Sequence, residues 1–240
     1  ESRGLGDVYK RQVQLGQMLT DGLGRDFEWL HPEVLADRCT VGKRGTLDLS
    51  GTKQYNSFHT LIIPASKTIS VSTLNQAAAL YEAGGKVIFT SQLPTRSAEA
   101  GADDWVVTLM GELLPQAAQG VYRNHNKNGG EVLFIEHPDL QTLSLALQRT
   151  EPYDVEGIGY TPAMALADGK ANPGLKGGAV PLRYIHKERN GKSIFYFANL
   201  SDEPFDKEIA LRGKKRFELW NPHTGETLSL IHISEPTRLL

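Results

Sequence analysis

The sequence predicts an α/β protein: a parallel sheet with helices over residues 13–150, followed by antiparallel β structure. Three observations carry this. FHTLIIP at 58–64, KVIFT at 86–90 and EVLFI at 131–135 are continuous apolar runs, the pattern of strands buried on both faces. A helical pattern ending in Gly84-Gly85 separates the first two, which makes a βαβ unit. After about Thr150 the helical period gives way to short alternating runs with turn signals between them.

The elements follow in order. Leu15, Leu19 and Leu23 recur every four residues and predict an amphipathic helix over 13–23. FEWL at 27–30 is expected to be a short strand, Pro32 to open a short helix, and 45–49 to form a further strand. The helix at about 72–83 has Ser70 or Ser72 as its cap, with Leu74, Ala77, Ala78, Leu80 and Tyr81 on its apolar face. Helices are expected at about 103–114, with Asp103 and Asp104 near the positive end, and at 137–148. Beyond 150, short strands are expected at 184–186, 193–199, 205–211 and 217–220. Asn190-Gly191 signals a hairpin and Thr224-Gly225 another turn. The domain boundary is expected at 150–180, in or just before ANPGLKGGAVP at 171–181.

Composition excludes several classes of function. A net charge of −2 supplies no basic field for nucleic acid or an anionic membrane. No apolar run approaches the roughly 18 residues a membrane span needs. Cys39 is the one cysteine, so no internal disulfide can form. No signal peptide is visible at the Glu-Ser-Arg start. ESRGLGDVYKRQ at 1–12 and SLIHISEPTRLL at 229–240 resemble translated sequencing adapters found in environmental sequence data. They are therefore expected to be foreign tails on a fragment of a longer protein.

The residue patterns give no catalytic, cofactor-binding or metal-binding residue to commit to. GKS at 191–193 lacks the glycine a phosphate loop needs five residues before Gly191, where His186 stands. The histidines include no HxxxH or HxH pair for a metal. Ligands of parallel sheets bind at the carboxyl ends of strands, here Ser91-Gln92 and Glu136-His137. A Ser91–His137–Glu136 triad is chemically possible. Glu136 and His137 are adjacent in an extended segment, however, and point in opposite directions. Asn199-Leu200-Ser201 fits the glycosylation tripeptide. Asp202, Glu203, Asp206 and Glu208 read as a solvated turn and strand face, not a glycosidase pair. Trp220 is placed to stack on a sugar or, more commonly, to pack at a domain interface.

FHTLIIPASKTISVSTLNQAAALYEAGGKVIFTSQLPTRSAE at 58–99, IFYFANLSDEPFDKEIALRG at 194–213 and FELWNPHTGET at 217–227 resemble family 106 glycoside hydrolases of the α-L-rhamnosidase type. The resemblance implies a domain similar to class I glutamine amidotransferases (flavodoxin-like) at 13–150 and a partial β-sandwich at 151–228. It implies that the catalytic carboxylates lie in an upstream barrel outside this sequence. In class I amidotransferases a cysteine sits on a sharp turn after a strand. Here the turn is FTSQLP, without a cysteine or flanking glycines, and Cys39 lies well upstream. The implied function is a non-catalytic accessory region, needing no cofactor, of a periplasmic or extracellular enzyme acting on plant-type polysaccharide. Its partners would be the barrel and the glycan. The alternatives are a carbohydrate-binding module centred on the sandwich, which an exposed aromatic platform around Trp220 would favour, and a stand-alone hydrolase or amidotransferase-like enzyme using Ser91 or Cys39.

Overall fold

The computed structural model describes residues 2–50, 55–115, 120–148, 153–158, 182–189, 192–206, 208–213 and 216–230. It is a mixed α/β structure. Helix α1 (Ser2–Gln17) runs into a π-helical turn, Met18–Gly22. The helix therefore starts well before residue 13, since extending a helix adds a hydrogen bond for each residue fixed once its first turn exists. Leu15, Leu19 and Leu23 are buried, as their spacing predicts. FEWL is not a strand. Residues 24–31 are irregular, with the Phe27 and Trp29 rings edge-on at 5.2 Å. A four-residue apolar run does not by itself distinguish a packed loop from a strand. Helix α2 (Pro32–Arg38) begins with proline as predicted. Strands β1 (Cys39–Gly42), β2 (Thr46–Ser50) and β3 (Tyr55–Phe58) then form an antiparallel meander.

The central sheet has the order β4-β6-β9-β8. After β4 (Thr60–Ile63) come β5 (Thr68–Ile69) and α3 (Val71–Glu82), capped by Ser70, whose Oγ accepts the Thr73 N–H at 3.2 Å. β6 (Lys86–Thr90), β7 (Arg96–Ser97), α4 (Asp103–Leu113), β8 (Val121–His125), β9 (Glu131–Ile135) and α5 (Leu140–Gln148) follow. β4, β6 and β9 are parallel, and β8 pairs antiparallel with β9. The two central strands are buried at every position. β4 is an edge strand and only partly buried, unlike the expectation for 58–64; Phe58 belongs to β3. The antiparallel β8 has no clear sequence signal, because VYRNH carries only weak apolar alternation.

Period-two alternation makes the sheet the middle of three layers. Val87, Phe89, Val132 and Phe134 meet Leu74, Ala77 and Leu80 of α3 and Val106, Met110 and Leu113 of α4. Ile88, Leu133 and Ile135 meet Leu15, Leu19 and Leu23 on one side and Leu143, Ala146 and Leu147 of α5 on the other. Lys86 shares that second face and is 1% exposed. Its ammonium lies 2.8 Å from Glu131 Oε2 and donates to the Ala146 carbonyl in the last turn of α5. Arg123 Nε reaches the other oxygen of Glu131 at 2.7 Å. The β1–β2 turn packs on the glycine pair after α3. Gly45 has φ 67°, and a Cβ there would lie 2.2 Å from the Gly85 nitrogen.

Past residue 152 the described elements are strands, the longest being the two of the β11–β12 ribbon. β10 (Val155–Glu156) pairs with β13 (Ala210–Leu211). β11 (Leu182–Arg189) and β12 (Lys192–Asn199) form an antiparallel ribbon in which Arg189 faces Lys192, the register of a two-residue connection. β14 (Phe217–Trp220) and β15 (Thr227–Leu230) form a second hairpin around Gly225, φ 73°. The strand expected over 205–211 shrinks to β13, because the charged run before it leaves few apolar positions to pair. Val155, Ile158, Leu182, Tyr184 and Ile209 make a third core, distinct from the two around the central sheet. The stretch 171–181 and the pair Asn190-Gly191 lie outside the described residues.

Candidate functional site

The carboxyl edge of the central sheet is where the fold can best host chemistry. Ser91 follows β6 directly, and its N–H bonds the Ile135 carbonyl at 2.8 Å. The Gln92 N–H closes back on the Thr90 carbonyl at 2.7 Å, so Ser91 sits alone in a γ-turn with φ 63°. Among the described residues it is the one non-glycine with positive φ. Such strain is often stored at functional sites. A hydrolase elbow, however, runs directly into a helix and brings a base to the hydroxyl. Here the chain continues through an irregular segment to α4, which starts at Asp103. Among the described residues the Ser91 hydroxyl makes no hydrogen bond. Glu136 Oε2 accepts the Gly120 N–H at 2.7 Å, and His137 is exposed. No hydrogen bond joins Ser91, His137 and Glu136 among those residues.

Cys39 is 3% exposed, at the start of β1 in the core beneath α3. Burial pushes its thiol up, away from the thiolate a nucleophile needs. Lys192 and Ser193 of the GKS tripeptide lie in β12, not between a strand and a helix. Asn199 Oδ1 accepts from the Ser201 N–H and hydroxyl, which makes a local turn of the tripeptide. Among the described residues no group of three or more His, Cys, Asp or Glu could hold a metal ion.

One polar cluster has no local sequence signal, because its members come from positions 21–28, 154, 183–187 and 212. His186 Nδ1 lies 3.1 Å from Asp154 Oδ2, and Arg212 reaches Asp154 Oδ1 at 2.6 Å. Burial raises the Asp154 carboxyl, but the His186 hydrogen bond and the Arg212, His186 and Arg25 charges outweigh it and hold it below 3.8. The Arg25 guanidinium lies over the Tyr153 ring, 3.7 Å from its centroid. Burial first, then the Asp154 charge, pushes the Tyr184 phenol up to about 12. The His186 N–H points out of the β11–β12 ladder, and Asp26 Oδ2 accepts it at 3.1 Å. Burial raises that carboxyl above 3.8 despite this bond. Arg183 pairs with Asp21, and Lys187 with Glu28.

A histidine held by a carboxylate through Nδ1 is the arrangement of a general base. Here the imidazole stacks on Phe195, centroids 4.1 Å apart, and Nε2 is buried. The cluster holds the ribbon against the 21–28 segment as a clasp.

The β14–β15 hairpin presents the remaining candidate. Trp220 is 64% exposed, and its Nε1–H donates to Glu218 Oε2 at 3.2 Å. The family model described as alpha-L-rhamnosidase, glycoside hydrolase family 106, matches residues 17–233. Comparison with curated proteins and with solved structures returned no match.

Proposed function

The chain belongs to glycoside hydrolase family 106, the α-L-rhamnosidase family, and from that premise we propose that it is a non-catalytic accessory region of such an enzyme. The carboxyl edge of the central sheet carries this reading. There the strained Ser91 leads into an irregular segment instead of a helix, and Glu136 is engaged by the Gly120 N–H. The parent protein's catalytic carboxylates are then supplied by a barrel, with this chain packed beside it and acting on plant-type polysaccharide.

In this reading 13–150 is an amidotransferase-like, flavodoxin-like domain that has lost its nucleophile. The three-layer order and the parallel β4-β6-β9 set support that. Residues 151–228 are the start of a β-sandwich, supported by the separate third core and the two hairpins. The enzyme works in the periplasm or outside the cell. Among the described residues no helix is long and apolar enough to cross a membrane. The test is hydrolysis of an aryl α-L-rhamnoside by the 240-residue chain alone. Release at the rate of the buffer blank is expected. Turnover above the blank that disappears in Ser91→Ala would replace this reading with that of a stand-alone hydrolase.

A further inference from the structure

We infer that Asn128 is a site of spontaneous deamidation, and that its conversion to aspartate or isoaspartate unlocks the corner where the β8–β9 turn grips the end of α3.

The sequence holds two Asn-Gly pairs, 128–129 and 190–191. The first lies in the turn between β8 and β9, and both of its residues are exposed. Gly129 has φ 86°, and a Cβ built there would meet nothing within 4 Å. Its N–H reaches the Asn126 carbonyl at 3.3 Å, a long contact that holds the nitrogen loosely. A glycine after asparagine offers an amide nitrogen with no side chain to shield it. That nitrogen gives up its proton to base and attacks Asn128 Cγ. The Cγ–Nδ2 bond breaks, ammonia leaves and a succinimide ring closes. Water then opens the ring. Cleavage between Cγ and the ring nitrogen leaves aspartate, and cleavage between the main-chain carbonyl carbon and that nitrogen leaves isoaspartate. Water enters and ammonia departs, with no change in oxidation state.

The amide that is lost is in use. Asn128 Nδ2 donates to the Glu82 carbonyl at 2.8 Å, and Asn126 Nδ2 donates to the Tyr81 carbonyl at 2.7 Å. Both carbonyls belong to the last turn of α3. Deamidation replaces the donor to Glu82 with a carboxylate at the negative end of a helix, where cations are favoured. Isoaspartate also adds a methylene to the main chain, and this corner has no room for one. A Cβ at Gly84 would lie 2.8 Å from the Asn128 carbonyl oxygen, and one at Gly130 would fall on the Tyr81 carbonyl. The same Gly84-Gly85 pair receives the β1–β2 turn through Gly45. Three elements therefore meet at the modified residue and loosen together.

The experiment incubates the folded 240-residue chain in mildly alkaline buffer and samples it over time by peptide mass spectrometry. Trypsin isolates 128–149, in which Asn128 is the sole asparagine, from 124–127 and 190–192. The mass gain of amide-to-acid conversion should appear in 128–149 before it appears in 124–127, and an isoaspartyl methyltransferase should label the product. Gly129→Ala puts a side chain beside the attacking nitrogen and should slow conversion at least about tenfold, a barrier change of about 1.4 kcal/mol. In the converted chain, amide hydrogen exchange at Ala83, Gly85 and Asn126 should speed up, while Val106 and Met110 of α4 should not change. Asn128→Asp has the new charge without the extra methylene and should show a smaller increase at the same amides. Circular dichroism checks that each variant is folded. No detectable conversion of 128–149 by the time a denatured sample is fully converted overturns the inference. So does a rate unchanged in Gly129→Ala, or a converted chain whose exchange at the corner matches that of the starting protein.

Discussion

Replacing Glu131 with alanine should cost far more stability than replacing its partner Lys86 with methionine. The Lys86 ammonium is 1% exposed and lies 2.8 Å from Glu131 Oε2. At an effective dielectric of about 20 the direct attraction at that distance is about 6 kcal/mol, most of it offset by the cost of taking two charges out of water. Glu131→Ala removes the attraction and keeps the desolvated cation, so the expected loss is about 3–5 kcal/mol. Lys86→Met keeps most of the buried stem, and Glu131 retains Arg123 at 2.7 Å. That change should cost about 1–2 kcal/mol, part of it from the Ala146 carbonyl left without its donor. The double variant Lys86→Met/Glu131→Ala should be more stable than Glu131→Ala alone, because it removes the unpaired buried cation. The assay is urea unfolding at pH 7, followed by far-ultraviolet circular dichroism, with the double-mutant cycle closed. A cost below about 1 kcal/mol for Glu131→Ala, or an additive cycle, would refute the claim that these charges depend on each other.

Asp154 and Asp26 should respond to substitution with opposite signs. Asp154 is held below its ordinary value, so its contribution is present at neutral pH and is lost as pH falls through that lowered value. Asp154→Asn should therefore cost about 1–3 kcal/mol at pH 7, and the cost should shrink as pH falls below the ordinary carboxylate range. Burial raises Asp26, so its ionisation weakens the fold as pH rises through the raised value. Asp26→Asn should raise the urea midpoint at pH 7 and leave it unchanged at pH 2, where the aspartate is already neutral. Gly45→Ala should destabilise by well over 1 kcal/mol, since its Cβ would meet backbone 2.2 Å away. Gly129→Ala has positive φ but open space around it and should cost only about 1–2 kcal/mol, a contrast thermal melts will resolve. Ser91→Gly should stabilise by up to about 1 kcal/mol, because glycine takes φ 63° without a steric penalty. A loss in that variant would show that the serine side chain packs.

The central sheet was legible because burial on both faces writes continuous apolar runs, and KVIFT and EVLFI can do little else. The helix between β4 and β6 was legible from a serine cap, a periodic face and two glycines. Edge elements were not. β4 has the composition of a central strand but a neighbour on one side only, and FEWL packs by side chains without pairing its backbone. The Asp154–His186–Arg212 cluster was invisible because ion pairs between distant positions have no period or local spacing. The place of Ser91 directly after a strand was legible. Its positive φ could not be read, because serine is not a residue that conformation selects.

The clasp between the 21–28 segment and β11 joins positions about 160 residues apart and sets how far the chain can be taken apart. Asp26 occupies an outward-facing N–H of β11, so a fragment starting at 151 would offer that edge to any passing strand and should aggregate by strand addition. A fragment ending at 150 would leave Asp21, Asp26 and Glu28 gathered without the ribbon cations Arg183 and Lys187. The two halves have separate cores but are not interchangeable modules. Contacts this remote also form late in folding, so a ribosome-bound chain should hold its sheet before it holds its ribbon.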